Sequence, residues 1–383
     1  VLRKPGIFGF GLTGEPTLEP EGELRNITYG SRIRLRGDDG GAPPEDWRVA
    51  LAAQIVGQPT AVTTIVPYLE MHQASLSPEG RPAGVFLLLG PTGTGKTRTV
   101  EALASLLHGN EKCLLRIDCG EFQMEHEVAK LIGAPPGYLG HRETQPMLTQ
   151  SRLNAVTSER SNLSLLLFDE IEKAAPSLTR LLLGVLDKAM LRLGDNNTVN
   201  FERSLIFLTS NLGARQMMKA LRPEFGFPAA SAATPEELGR KLERIGLSAV
   251  RRRFSPEFLN RVDSVVTYQP LGREALERIL SMQLAELQRL VNVRLGIRAF
   301  TVEVTAAARG FLLEAGTSSH YGARELKRTL HRLLVQPLAS MAARGELEPG
   351  AVVWVDHNEG ETQLTIRTEE ELLPLPRRRR PVT

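Results

Sequence analysis

Cysteine is nearly absent, with Cys113 and Cys119 the only two in 383 residues, one on either side of a predicted strand. Without Cys-x-x-Cys spacing they suggest neither a disulfide scaffold nor a metal site, and a reducing cytoplasm is the default setting. No apolar run approaches the ~20 residues of a membrane-spanning helix, and no signal-peptide pattern is read at the start, where the first residue is Val. An excess of one charge is also missing. Lysine and arginine number 47 against 44 acidic residues, a net charge of +3, and removing the four arginines Arg377–Arg380 would leave −1. The folded body therefore shows no nucleic-acid footprint, and the arginine run reads as a solvated tail.

What is present is the composition of an ordinary globular protein, 42% hydrophobic and 24% charged, long enough for two or three domains. Residues 1–45 are rich in Gly, Pro and charge and read as an extension or linker. From Trp47 onward helices alternate with apolar runs at 84–89, 113–118, 164–169, 204–210 and 262–268. That alternation predicts a parallel sheet in an α/β domain over 46–268. Past Pro270 the pattern changes to a helical stripe of Leu276, Ile279, Leu280, Leu284, Leu287 and Val291. A lone strand at Phe300-Thr301-Val302-Glu303-Val304, helices over 306–315 and 323–343, and a hairpin over 351–367 follow. This predicts a small, mostly helical C-terminal domain over 269–367, with a basic disordered tail at 368–383.

The most informative stretch is Gly90-Pro91-Thr92-Gly93-Thr94-Gly95-Lys96-Thr97. It follows the apolar run Val85–Leu89 and precedes a helical pattern with Val100, Leu103, Leu106 and Leu107 on one face. Strand, glycine loop and helix form the setting of a phosphate site. Glycines let backbone N–H groups crowd around phosphate oxygens, and the helix N-terminus adds positive potential. Lys96 is placed to reach the β- and γ-phosphates, and the Thr97 hydroxyl to ligate Mg²⁺. No internal repeat appears, so one such module is expected.

Ser164-Leu165-Leu166-Leu167-Phe168-Asp169-Glu170 is an apolar strand ending in two carboxylates. Asp169 suits orientation of Mg²⁺, and Glu170, on the opposite side of the pleat, suits polarisation of an attacking water. A further apolar strand, Ser204–Ser210, ends at Asn211. Asn211 would hold that water or sense the γ-phosphate; alternatively Asn211 or Ser210 caps the next helix.

These motifs, in this order, resemble an AAA+ ATPase of the Clp type, most similar to the second ATPase ring of the ClpA, ClpB and ClpC unfoldases. The resemblance covers about residues 46–355. It includes Ile55-Val56-Gly57-Gln58, Arg116-Ile117-Asp118, Leu131 to Gly140, Asp169 to Ala174, Thr209 to Gly213, Phe254 to Asp263 and Tyr321 to Arg328. It implies an AAA+ phosphate-loop domain with a parallel sheet, followed by the small helical domain. ATP would lie between Ile55 and Val56, the loop Gly90, Pro91, Thr92, Gly93, Thr94, Gly95, Lys96 and Thr97, and Arg324. Thr97 and Asp169 would hold Mg²⁺. Lys96, Glu170, Asn211 and Arg261 would be catalytic, with Arg261 acting on the ATP of a neighbouring subunit in a homohexamer. Tyr138, with Leu139, would line an axial pore and grip polypeptide; an exposed aromatic on a Gly- and Pro-rich loop is a contact element on physical grounds too.

The resemblance implies an ATP-dependent protein unfoldase or translocase in the cytoplasm. The alternative is a nucleotide-switched AAA+ factor that remodels one dedicated partner without threading. No first ring, N-terminal domain or coiled-coil insertion is read ahead of the module, which leaves disaggregation with a partner chaperone unsupported by this chain alone. Asp187 to Asp195 departs from the family's turn after the Walker B helix. Phe225-Gly226-Phe227 sits where ClpC-like proteins dock a peptidase, although local packing of the two phenylalanines competes with that reading. Ile245-Gly246-Leu247 has a similar spelling inside a predicted helix over 236–254.

Overall fold

The computed structural model describes residues 46–133, 146–221, 235–317 and 322–368. Its strands are β1 (Gly84–Leu89), β2 (Leu115–Asp118), β3 (Ser164–Asp169), β4 (Met190–Arg192), β5 (Thr198–Asn200), β6 (Ser204–Ser210), β7 (Ser264–Thr267), β8 (Thr301–Val304), β9 (Val352–Asp356) and β10 (Thr365–Thr368). Five of them form a parallel sheet in the order β2-β3-β6-β1-β7.

Side-chain alternation explains why the strands of this sheet read as continuous apolar runs. Val85, Leu87 and Leu89 enter one core, while Phe86 and Leu88 enter the other. Strands β3 and β6 divide in the same way, with Leu166, Phe168, Ile206 and Leu208 on the first face and Leu165, Leu167, Leu205 and Phe207 on the second. Both faces need cover, as a parallel sheet requires. Helices α1 (Trp47–Gln54), α2 (Pro59–Gln73) and α3 (Lys96–His108) supply it on one side through Leu51, Ile65 and Leu103. The helix Pro176–Lys188 supplies Leu178, Leu182 and Leu186 on the other, joined by Val250 from the helix Pro235–Arg253. Phe86 stacks on Phe207 at 5.2 Å between ring centroids. Each such fully buried side chain is worth roughly 1.5–3 kcal/mol.

A third core, from Leu276 to Val355, belongs to the C-terminal helices and a second sheet. Here the segment expected as a lone strand is paired: β8 runs parallel to β9, and β9 pairs antiparallel with β10. The helical stretch expected over 323–343 contains a wider turn at His331–Val335, two residues before Pro337. Proline lacks the N–H and crowds the carbonyl four residues back, and a π turn relieves both. The divergent segment after the helix Pro176–Lys188 folds as the hairpin β4–β5. Gly246 of the apolar tripeptide is buried in the helix Pro235–Arg253, where an added Cβ would lie 2.8 Å from Met217 Cε. Both cysteines are free, and burial pushes the Cys119 thiol well up.

Candidate nucleotide site

β1, β3 and β6 are neighbours, and their C-terminal ends lie along one edge of the sheet. From β1 the chain turns through Gly90–Gly95 into α3. Gly90, Gly93 and Gly95 have φ of 147°, 80° and 106°, in the region that glycine enters without a Cβ penalty. Gly90 has a second constraint, since a Cβ there would sit 2.7 Å from the Tyr268 carbonyl oxygen. Over Gly95 the space is open, with none of the described residues within 4 Å of an added Cβ. The loop thus brings the donor end of α3 to an accessible surface, which is what an anion needs.

Lys96 is 8% exposed. Its Nζ donates to the carbonyls of Gly90 (2.7 Å) and Pro91 (2.9 Å) and to Asn211 Oδ1 (3.0 Å). Burial pushes its pKa down to about 8, against the pull of Glu172, Asp169 and Glu170, with Arg324 reinforcing the fall. Asn211 sits between the lysine and the carboxylates: its Nδ2 donates to Glu170 Oε1 at 3.1 Å, and its backbone N–H to Glu172 Oε1 at 3.0 Å. The Asn211 side chain therefore faces the loop, and it is the Asn211 carbonyl that accepts the first bond, from Ala214 N–H, at the start of the next helix.

Asp169 accepts from Thr209 Oγ1 and pairs with Arg116, both at 2.5 Å. Glu170 has φ of 56°, its N–H donates to Thr209 Oγ1, and its carboxylate pairs with Lys173. Arg253 closes the turn beyond by donating to the carbonyls of Glu172 and Ala174. Thr97 is half-buried in the first turn of α3. A hydroxyl and a carboxylate suit a hard cation, and Mg²⁺ is ordinarily held by one or two carboxylates together with substrate phosphates. No group of three or more His, Cys, Asp or Glu that could hold a metal ion occurs among the described residues. An open loop rich in donors, one lysine and these oxygen ligands fit a magnesium-bound triphosphate.

Ile55 and Val56 are buried just ahead of α2. Gln58 closes the segment Ile55-Val56-Gly57-Gln58 noted in the sequence but was given no role there, yet its buried amide bonds to Thr94 O and to both main-chain groups of Gln269. The fully buried Tyr268 donates its hydroxyl to Thr99 at 2.7 Å. From the C-terminal part, Gly322 abuts Gly93 and Ala323 N–H donates to Gly93 O at 3.1 Å. Arg324 follows in the first turn of the helix Ala323–Leu330. Arg261 is elsewhere: it donates to Glu257 O at 3.0 Å and to Asp187 at 3.3 Å, neither in the loop, while its Nε is buried without a partner among the described residues. Tyr138, Leu139, Phe225-Gly226-Phe227 and Arg377–Arg380 lie outside the described residues. No helix among the described residues is long and apolar enough to cross a membrane.

Residues 81–265 match the family model "AAA domain (Cdc48 subfamily)", and residues 271–355 match "C-terminal, D2-small domain, of ClpB protein". The chaperone protein ClpB of Aquifex aeolicus is 37% identical over 324 residues, covering 84% of this chain and 30% of that protein. The ClpB of Rhodopseudomonas palustris is 39% identical over 300 residues, covering 78% of this chain and 31% of the relative. The chain thus spans less than a third of the length of these two relatives. Among solved structures, the S. cerevisiae Hsp104–casein complex in its extended conformation superposes with a TM-score of 0.70 at 28% identity, covering 84% of this chain and 51% of the other. A closed-state Hsp104 reconstruction with ATPγS and FITC casein gives 0.69 at 26% identity, with the same coverage.

Proposed function

The chain belongs to the Clp-type AAA+ ATPases, with the two-part make-up of their second ring, and from that premise we propose that it hydrolyses ATP to pull on polypeptide. The carrying observation is the continuous set of hydrogen bonds from Lys96 through Asn211 to Glu170. It joins Lys96, Asn211 and Glu170, which follow three different strands, and so supports reading them as a phosphate-binding cation, a polar orienting group and a general base.

In this reading Lys96 exchanges its loop carbonyls for phosphate oxygens. Thr97 and Asp169 hold Mg²⁺, which when bound neutralises charge on the phosphates. Asn211 orients the attacking water and Glu170 accepts its proton. Ile55 and Val56 border the base, and Arg324 meets the nucleotide from the small module. Arg261 serves the site of the adjacent subunit in a hexameric ring. Its own bonds to Glu257 and Asp187 leave the guanidinium outside its own loop, which is what a residue acting in trans requires. An arginine finger is worth about 10³–10⁵ in rate. The output is Tyr138, with Leu139, gripping an extended chain in the pore, and Phe225-Gly226-Phe227 is the segment on which a peptidase would dock.

Glu170→Gln should retain ATP binding and lower kcat by about 10²-fold or more. It should also hold labelled unfolded polypeptide in ATP. Tyr138→Ala should hydrolyse ATP but fail to thread. Wild-type turnover by Glu170→Gln would remove the general-base role, and unaffected remodelling by Tyr138→Ala would favour a factor that acts without threading.

A further inference from the structure

Gln58 is a polar side chain, 4% exposed, at a position where hydrolytic chemistry asks for nothing. It stands at the N-cap of α2 but makes no capping bond. Its Nε2 donates instead to Thr94 O (3.1 Å) and to Gln269 O (2.8 Å), and its Oε1 accepts from Gln269 N–H (3.1 Å). Three of the four bonds open to a side-chain amide are therefore made. Two fall on a single residue, as a neighbouring strand would pair with it, and the third falls on the phosphate loop.

Gln269 occupies a particular place in the chain. It follows Tyr268, whose N–H donates to Leu89 O at the end of β1, and it leads into the helix Arg273–Leu295 that opens the small module. Beside Gln58, Gly57 has φ of 74°, and an added Cβ would lie 3.2 Å from both Leu271 and Ala275 of that module. Gln58 is thus wedged between the loop and the connecting segment. A displacement of the Thr94 peptide cannot be absorbed locally, because buried amide and carbonyl groups are costly to leave unpaired and the surrounding interior is close-packed.

We propose that Gln58 is a positioning residue that couples the phosphate loop to the connecting segment, so that nucleotide in the loop reorients the small module through main-chain hydrogen bonds. This route rests on the reading of Gly90–Thr97 as a nucleotide site, and it makes no use of the Arg324 side chain. Gln58 touches neither nucleotide nor water in the reaction; it acts through Thr94 and Gln269.

The test uses the full chain with two substitutions. Gln58→Met keeps length and near-equal volume but removes every bond, whereas Gln58→Glu keeps the acceptor and removes both donors. Binding of a fluorescent ADP analogue, steady-state ATPase kinetics, and hydrogen exchange over residues 268–272 with and without ADP are measured. Expected are affinity within about threefold of wild type, a kcat about tenfold lower with less change in KM, and loss of the ADP-induced change in exchange at Gln269. Wild-type kcat together with a wild-type exchange response would overturn the proposal. So would parallel loss of affinity and kcat, which would make Gln58 a support of the loop alone. If a variant does not fold, exchange in the wild-type chain decides: a Gln269 amide that responds to ADP supports the coupling, and one that does not overturns it. A wild-type chain that does not bind ADP overturns the nucleotide reading itself, whereas binding without a response at Gln269 overturns only the coupling.

Discussion

Lys96 is surrounded by oxygen yet deeply buried, and the two effects oppose each other. Burial wins, leaving its pKa at about 8 against an ordinary 10.5. Between those values the folded chain has released a proton that the unfolded chain still holds, so this residue makes stability rise with pH across that window. Binding has the opposite sign. Phosphate charge favours the ammonium form, so above about pH 8 nucleotide binding must take up a proton, and affinity should fall by up to about tenfold per pH unit. Titration calorimetry at pH 7 and pH 9, in two buffers of different ionisation heat, should show proton uptake only at the higher pH. Lys96→Arg should abolish the difference, because a guanidinium stays charged throughout.

At the level of elements, the tightest joint is Gly322, which caps the helix Ala323–Leu330 with φ of 49°. An alanine there would be strained twice, by its backbone angle and by a Cβ 2.8 Å from Gly93 O. Gly322→Ala should cost about 1–3 kcal/mol, lower the melting temperature and weaken nucleotide binding by displacing Gly93. Gly310, inside the helix Ala306–Gly316 with open space around it, is the control; Gly310→Ala should gain up to about 1 kcal/mol. Differential scanning calorimetry should show the two shifts with opposite signs. Elements of this kind were unevenly legible in the sequence. The central strands and the glycine loop announce themselves because apolar runs and φ-permissive residues are local signals. Strand β8 was visible, but its partner β9 lies about fifty residues on, and pairing at that distance leaves no local trace. Gln58 and Arg253 were given no role for the same reason in three dimensions: each matters through groups that only the fold brings near.

For the whole molecule, the question is which part of the site is its own. Lys96, Asp169, Glu170 and Asn211 form a self-contained set, and Arg261 stands apart from it against Asp187. Arg261→Ala should therefore bind ATP normally yet hydrolyse it about 10³-fold more slowly or worse. Mixing it with Lys96→Ala chains, which carry an intact Arg261, should restore part of the turnover; ATPase assays across mixing ratios check this. The bracket at Gln58 has a consequence of another kind, set by the order of synthesis. Gln58 and Gln269 are 211 residues apart, and a ribosome adds about 5–20 residues per second. For roughly nine to thirty-five seconds, the time to add the 175 residues from Thr94 to Gln269, the growing chain carries the glycine loop without the residue that ties it to the next module. Tyr268, whose carbonyl oxygen fixes how close Gly90 can approach, arrives just as late. The glycine loop is thus made well before Tyr268 and Gln269, which complete its surroundings, and the nucleotide-driven motion proposed for it has to wait until the small module that it would move has begun to emerge.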